Sequence, residues 1–205
     1  MAMKSCDAVL FVGRFNHITN GHCIVINKAL EMGDRTLLLF GSAQESGTLR
    51  NPFDVKTRMD MVQEIYEEDI LRGRLIIAPL TDMSHESDIP EDGAWGRYVL
   101  EHAVRYLHKI PELMIYGNDD SRSKWFDLND IKHIDEYIIS RQRNPISATK
   151  IRELLLYDKR AEWNENVHPR IHKHYGRLRE ELLAARPYRE AFEKIMKGVT
   201  TDVIL

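Results

Sequence analysis

The chain has 205 residues, of which 43% are hydrophobic and 30% charged, and its net charge is −3. The composition is typical of a globular protein and excludes a disordered chain, and the length suits one α/β domain with a small appendage. The slight acidity argues against general nucleic-acid binding, which requires a basic face.

Short apolar runs alternate with stretches of helical periodicity along the first three quarters of the chain. The runs predict strands at residues 8–12, 36–40, 75–80, 113–116 and 137–140, and the periodic stretches predict helices at 22–32, 54–71, 95–108 and 149–157. This alternation predicts βαβ units, and therefore a Rossmann-like parallel sheet with helices on both faces.

Two further features complete the predicted organisation. Asn51 and Pro52 favour the start of the second helix, with asparagine as its N-cap. Beyond Glu153 no strand is predicted, and residues 168–185 and 188–196 have the pattern of charged amphipathic helices. We therefore expect a Rossmann-like core at 1–153 and a helical segment at 154–205 that packs on it.

The loop after the first strand has the character of a phosphate site. Gly13 ends the strand, and Thr19 and His22 lie three residues apart where the first helix begins. Both side chains can therefore face a point beyond the helix N-terminus, where unpaired N–H groups and the dipole favour an anion. Gly21 between them permits close approach of a ligand. The pattern predicts chemistry on a nucleotide.

Three segments resemble one enzyme family, in its order. Residues 13–22 (GRFNHITNGH) resemble the GRFxPxHxGH loop of nucleotidyltransferases, and residues 146–152 (ISATKIR) resemble their ISxTxIR segment. Residues 41–46 (GSAQES) and 50–53 (RNPF) are similar to the second-strand signature of archaeal-type nicotinamide mononucleotide (NMN) adenylyltransferases. The resemblance covers most of residues 8–152. It implies transfer of AMP from ATP to NMN, with release of pyrophosphate.

The implied reaction needs cationic groups and hydrogen-bond donors. A phosphate oxygen of the mononucleotide attacks the α-phosphorus of ATP, and because it is already an anion the protein supplies position and positive charge. The resemblance implies catalytic roles for Arg14, Thr19, His22, Arg50 and Arg152. It implies ATP binding by Gly13, Arg14, Phe15, Thr19, Gly21, His22, Gly117, Ser147, Thr149 and Arg152.

The residues of these sets are expected to contact different phosphates of ATP. Thr19 and His22 are expected at the α and β phosphates, and Arg152 at the β and γ phosphates. Arg14 is expected over the phosphate channel and Arg50 between the reacting phosphates. Arg50 could instead simply solvate a loop, as most surface arginines do.

The second substrate is expected to contact residues from several strands. The resemblance implies NMN binding by Ser42, Gln44, Asn51, Asp88, Trp95 and Asn118. The indole face of Trp95 suits a cationic pyridinium ring. Two alternatives stay open: Trp95 could equally be a core residue, and Asp88 could be a solvated residue of an acidic loop.

The cofactor and partner predictions follow from the same resemblance. Mg²⁺ is expected to arrive with ATP, and no side-chain cluster predicts a metal site of the protein itself. Cys6 and Cys23 have no spacing suited to zinc or to a disulfide scaffold. The expected partners are ATP and a mononucleotide, without nucleic acid or membrane, in a cytoplasmic homo-oligomer.

The sequence departs from the family pattern at two positions of the first loop. His17 stands where the pattern usually has proline, and Thr19 stands where this branch usually has histidine. Residues 80–87 also resemble an insertion ahead of the substrate segment. These departures leave open nucleotidyl transfer to another phosphorylated small molecule, such as pantetheine phosphate. A nucleotide-binding regulator without catalysis and a fragment of a class I aminoacyl-tRNA synthetase are two further alternatives.

Overall fold

In the part of the chain that the structure describes, the apolar runs form five parallel strands in one sheet. The computed structural model describes residues 6–83, 93–117, 125–140 and 146–198. The strands are β1 (Cys6–Gly13), β2 (Gly33–Phe40), β3 (Leu75–Pro79), β4 (Leu113–Tyr116) and β5 (Asp135–Ile138). They lie in the order β3-β2-β1-β4-β5, and every neighbouring pair is parallel. The predicted Rossmann-like sheet is confirmed.

Helices cover both faces of this sheet. Those in the described ranges are α1 (Asn20–Met32), α2 (Val55–Leu71), α3 (Ala94–Leu107), α4 (Leu128–Ile131), α5 (Ala148–Leu156), α6 (Arg160–Asn166), α7 (Tyr175–Ala184) and α8 (Arg186–Met196), with a 3₁₀ helix at Pro169–His174. Alternate residues of β1 point to opposite faces, so Val9 packs into the cluster with α1 and α2, and Leu10 into the cluster with α3.

The structure corrects three predicted boundaries. β5 lies two residues earlier than predicted, because Leu113 of β4 pairs with Asp135. The N-cap of α2 is Asp54 and not Asn51, because the Asp54 carboxylate accepts the N–H of Thr57 at 2.7 Å. The helix predicted at 168–185 is instead the 3₁₀ helix followed by α7.

The C-terminal helical segment packs on helices α2 and α5. Trp163 of α6, Leu178 of α7 and Tyr188 of α8 are fully buried, and they belong to the same apolar cluster as β1 and α1. The division into a core at 1–153 and a helical segment at 154–205 stays a prediction.

The strand order fixes where a ligand can bind. The chain winds from β1 outward through β2 to β3, and then returns to place β4 on the other side of β1. In parallel sheets, ligands bind at the carboxyl ends of the strands where the order reverses. Gly13 and Tyr116 mark those ends. None of the helices in the described ranges is long and apolar enough to cross a membrane.

Candidate active site

A cavity of about 570 Å³ opens at this reversal point. Every predicted ATP-binding residue lines it, and so does Arg50. The lining residues come from the β1–α1 loop, the β2–α2 loop, the end of β4 and the N-terminus of α5. The fold therefore brings the three motif segments together, although they are separated by up to about 140 residues in the chain.

Thr19 and His22 form a capping box at the start of α1. The Thr19 hydroxyl accepts the His22 N–H at 3.3 Å, and the Thr19 N–H donates to His22 Nδ1 at 3.1 Å. Because Nδ1 accepts this hydrogen bond, the neutral ring carries its proton on Nε2. The Thr19 side chain is 2% exposed. The hydrogen bonds of Thr19 are suited to hold the His22 ring in one orientation. Direct contact between Thr19 and phosphate stays a prediction.

Phe15 forms the floor beneath the imidazole. Its ring is buried, and it lies 4.8 Å from the ring of Phe40 and 5.3 Å from that of His22. A Cβ at Gly13 would lie 3.0 Å from the Phe15 ring, so glycine lets the ring fold back under the loop. The φ of Phe15 is +48°, a left-handed conformation rare outside glycine.

Arg152 reaches into the cavity from the first turns of α5. Its Nη1 donates to the carbonyl of Asn16 at 2.9 Å, and its Nη2 to the hydroxyl of Thr149 at 3.2 Å. Its Nε donates to the hydroxyl of Tyr188 at 2.8 Å. Among the described residues, these bonds use three of the five N–H groups of the guanidinium, which leaves two for an anion. The N-cap of α5 is Ser147, which accepts the N–H of Lys150 at 3.1 Å.

The predicted NMN-binding residues of the β2–α2 loop lie outside the cavity lining. Asn51 is 1% exposed, and its amide accepts from Asn16 at 2.7 Å and donates to Glu45 at 2.5 Å. Both ends of this amide therefore hold the loop together. Ser42 and Gln44 lie elsewhere in the same loop. Their predicted contacts with NMN, and that of Asn51, stay predictions.

Asp82 fixes the other part of this loop. Its carboxylate accepts the N–H of Ser42 at 3.0 Å, and its own N–H donates to the Gln44 side chain at 3.0 Å. Ser42 has a φ of +51°, so this loop, like the β1–α1 loop, holds a strained backbone position beside the cavity.

Trp95 lies in a separate apolar crevice on the α3 side of the sheet. The crevice shares Val12 and Tyr116 with the cavity. Trp95 is half-buried, and its ring lies 5.5 Å from that of Tyr98. The indole is thus close to the reversal point and is not a fully buried core residue. Two other predicted NMN-binding residues, Asp88 and Asn118, lie outside the described residues.

A family comparison identifies the chain. Residues 10–154 match the family described as cytidylyltransferase-like. The chain belongs to this family. It is 30% identical over 160 residues to the nicotinamide-nucleotide adenylyltransferase of Thermococcus sibiricus, an alignment that covers 77% of each chain. The corresponding enzyme of Pyrococcus abyssi is 37% identical over 101 residues, which cover 49% of this chain and 50% of that enzyme. The resemblance seen in the sequence is thereby confirmed, and the protein is a nucleotidyltransferase.

Solved structures share the fold of this nucleotidyltransferase at low identity. A bifunctional NMN adenylyltransferase/ADP-ribose pyrophosphatase from Francisella tularensis, in complex with AMP and a manganese ion, has a TM-score of 0.65 at 15% identity. That match covers 96% of this chain and 57% of the other. A putative nicotinate-nucleotide adenylyltransferase from Vibrio parahaemolyticus has a TM-score of 0.57 at 17% identity and covers 83% and 98%.

Arg58 is a residue of the nucleotidyltransferase site that the sequence analysis missed. It is fully buried in α2, and its guanidinium donates to the carbonyls of Arg14 at 2.7 Å, Gly41 at 2.8 Å and Ser42 at 3.0 Å. It therefore ties the β1–α1 loop to the β2–α2 loop. Burial lowers the pKa of the Arg58 guanidinium to about 10, so the group is positively charged at neutral pH.

His17 is a second residue of unpredicted role. The indole N–H of Trp163 in α6 donates to His17 Nε2 at 3.3 Å, and His17 Nδ1 lies 2.6 Å from the carbonyl of Ile18. Because an indole can only donate, the neutral ring carries its proton on Nδ1, which donates to that carbonyl. Burial lowers the pKa of His17 to about 4. This imidazole links the phosphate loop to the C-terminal helices.

The lining of the cavity determines how it could hold a metal. Among the described residues, no group of three or more His, Cys, Asp or Glu side chains is placed to bind a metal ion. The described lining includes three arginines, Arg14, Arg50 and Arg152, and no carboxylate side chain. This donor set suits a nucleotide that brings a metal on its own phosphate oxygens.

Proposed function

We propose that this nucleotidyltransferase transfers AMP from ATP to NMN and so produces NAD and pyrophosphate. The observation that carries the proposal is the single cavity into which the β1–α1 loop, the Arg50 segment and the N-terminus of α5 all open. The similarity to nicotinamide-nucleotide adenylyltransferases supports the choice of both substrates.

The cavity has a basic part that suits a triphosphate. Arg14, Arg50 and Arg152 would neutralise two phosphate groups that repel one another, and His22 Nε2–H would donate to charge that develops on the leaving pyrophosphate. The attacking phosphate oxygen needs no general base, because it is already ionised. The helix N-termini at His22 and Ser147 add partial positive charge. Mg²⁺ bound to ATP oxygens would supply further charge neutralisation.

An apolar part of the cavity suits the adenine. Ile24, Ile139 and Ile146 line the cavity, as does Gly117. A Cβ at Gly117 would lie 2.8 Å from the Val25 side chain, so glycine allows β4 to end close against α1. We assign the flat base to this apolar wall and the phosphates to the arginines. ATP then lies along the carboxyl edge of β1 and β4.

We assign the nicotinamide ring to the other side of the same edge, at the mouth of the Trp95 crevice, which at about 10 Å³ is too small to enclose the ring. The Trp95 crevice meets the cavity at Val12 and Tyr116, so a mononucleotide with its phosphate in the cavity could place its base near the indole. This proposal keeps the predicted role of Trp95. A cytoplasmic location, a homo-oligomeric assembly and the preference for Mg²⁺ stay predictions.

The test is pyrophosphate release from Mg-ATP by the purified protein. NMN, nicotinate mononucleotide and pantetheine phosphate are offered in parallel, and His22→Ala serves as the inactive variant. Loss of one donor to developing charge is expected to lower kcat by about 10²–10³-fold. The matched control is His133→Ala, which removes an exposed histidine outside the cavity lining.

Each outcome decides a different part of the proposal. Release with NMN that is lost in His22→Ala and kept in His133→Ala supports both the reaction and the site. Release only with another acceptor keeps the site and refutes the substrate assignment. ATP binding without release from any acceptor indicates a nucleotide-binding regulator instead.

A further inference from the structure

Tyr188 of α8 connects two segments of the site, the one that contains Arg152 and the one that contains Arg50. Its side chain is fully buried in α8, and its hydroxyl accepts Nε–H of Arg152 at 2.8 Å. The same hydroxyl donates to the carbonyl of Leu49 at 2.8 Å. Leu49 directly precedes Arg50, and both residues line the cavity. One buried oxygen atom thus touches the guanidinium of one proposed phosphate ligand and the backbone next to another.

The hydroxyl fixes Arg152 in a way that its other contacts do not. Nη1 and Nη2 donate to Asn16 and Thr149, which are themselves parts of the cavity lining. Nε instead donates away from the cavity, toward α8. Because the Tyr188 hydroxyl holds Nε on the side of α8, the planar guanidinium has one orientation. Its remaining N–H groups therefore keep a fixed direction.

We propose that Tyr188 is a positioning residue that sets Arg152 and the Arg50 segment in one geometry for the triphosphate of ATP. The inference rests on the proposed phosphate-binding roles of Arg152 and Arg50. It gives the C-terminal helices a part in nucleotide binding, since α8 lies about 40 residues beyond the last motif.

Packing alone does not account for the tyrosine. A phenylalanine would fill the same apolar volume, because the ring lies among core residues. Only the hydroxyl can both accept from the charged Nε–H and donate to a carbonyl. Its removal would leave Nε of the buried Arg152 without this hydrogen bond, and the guanidinium and the partly buried Leu49 carbonyl would turn toward new partners.

The test compares equilibrium binding of Mg-ATP and of AMP by calorimetry. The proteins are the full-length wild type, Tyr188→Phe, Arg152→Lys and the double variant. ATP carries the β and γ phosphates that Arg152 is proposed to hold, and AMP lacks them. Tyr188→Phe is expected to weaken ATP binding about tenfold and to change AMP binding less than about twofold. In the Arg152→Lys background it is expected to add less than about twofold, because both changes act through one interaction.

The matched control is Tyr175→Phe. Tyr175 is also a buried tyrosine of the C-terminal helices, and its hydroxyl donates to Asp158 at 2.7 Å, with neither residue in the cavity lining. Unchanged ATP and AMP affinities are expected there. The inference is overturned if Tyr188→Phe keeps the wild-type ratio of ATP to AMP affinity, if Tyr175→Phe changes that ratio equally, or if Tyr188→Phe does not fold. These measurements involve no acceptor, so they are independent of turnover with NMN, on which the proposed function depends.

Discussion

Replacement of Arg58 by methionine should destabilise the fold more than any exposed arginine replacement. Methionine keeps the apolar stem and removes the guanidinium, which leaves the carbonyls of Arg14, Gly41 and Ser42 without their donor. A hydrogen bond from a charged group contributes about 1.5–3 kcal/mol, so three contribute at least about 5 kcal/mol. The lowered pKa of Arg58, about 10, corresponds to an opposing cost of about 3 kcal/mol for burying its charge. The expected net loss of unfolding free energy is therefore at least about 2 kcal/mol.

Urea denaturation at pH 7.5 measures this loss against a matched control. Arg170 also donates to two backbone carbonyls, those of Glu64 and Ile65, but it is exposed, so water can replace it. Arg170→Met is therefore expected to change the unfolding free energy by less than about 1 kcal/mol. If Arg58→Met costs no more than Arg170→Met, the guanidinium does not hold the two loops together and the argument is refuted.

Two further predictions concern the β1–α1 loop. The buried neutral His17 has a pKa of about 4, below the 6.5 of an unfolded histidine, so the unfolded chain binds more protons and stability falls as the pH drops from 6.5 toward 4. Between pH 8 and pH 5 the loss of unfolding free energy amounts to about 2 kcal/mol. Urea titrations at both pH values should not show this loss in His17→Asn. An equal loss in that variant would contradict the assignment. Thr19→Val should cost about 1 kcal/mol of stability through the lost cap and lower kcat about tenfold through a less ordered His22. Thr19→Ser keeps the hydroxyl, so steady-state kinetics that do not separate the two variants would rule out the positioning role.

The sequence predicts the parts of this molecule that depend on local pattern. Apolar runs identify β1 to β4 well, because a buried parallel strand is apolar on both faces. The least accurate strand is β5, whose residues are mostly exposed at the edge of the sheet. α6 was not predicted, since its seven residues bury only Trp163 and have no amphipathic period.

The residues of the site likewise include some that a local sequence pattern predicts and others that it does not. Most of the residues that line the cavity lie in three short motifs, and each motif follows a strand or begins a helix. Arg58 has no such signal, because a single arginine in a helix usually lies on the solvated face. Its acceptors lie 16 to 44 residues away in sequence, and only the folded chain brings them to one point.

The departure from the family pattern at residue 17 is linked to helix α6, which was not predicted, because His17 and α6 are in contact. The φ of His17 is +128°, and proline is restricted to a φ near −65°, so this loop has a backbone that the usual proline cannot adopt. The strained position is held by two hydrogen bonds of the imidazole, to the Ile18 carbonyl and from the Trp163 indole, and by edge contact with the Phe53 ring. A histidine here requires a buried donor opposite Nε2, since a buried ring nitrogen without a partner is costly. The C-terminal helices supply that donor, and they therefore stabilise the geometry of the loop that carries Thr19 and His22.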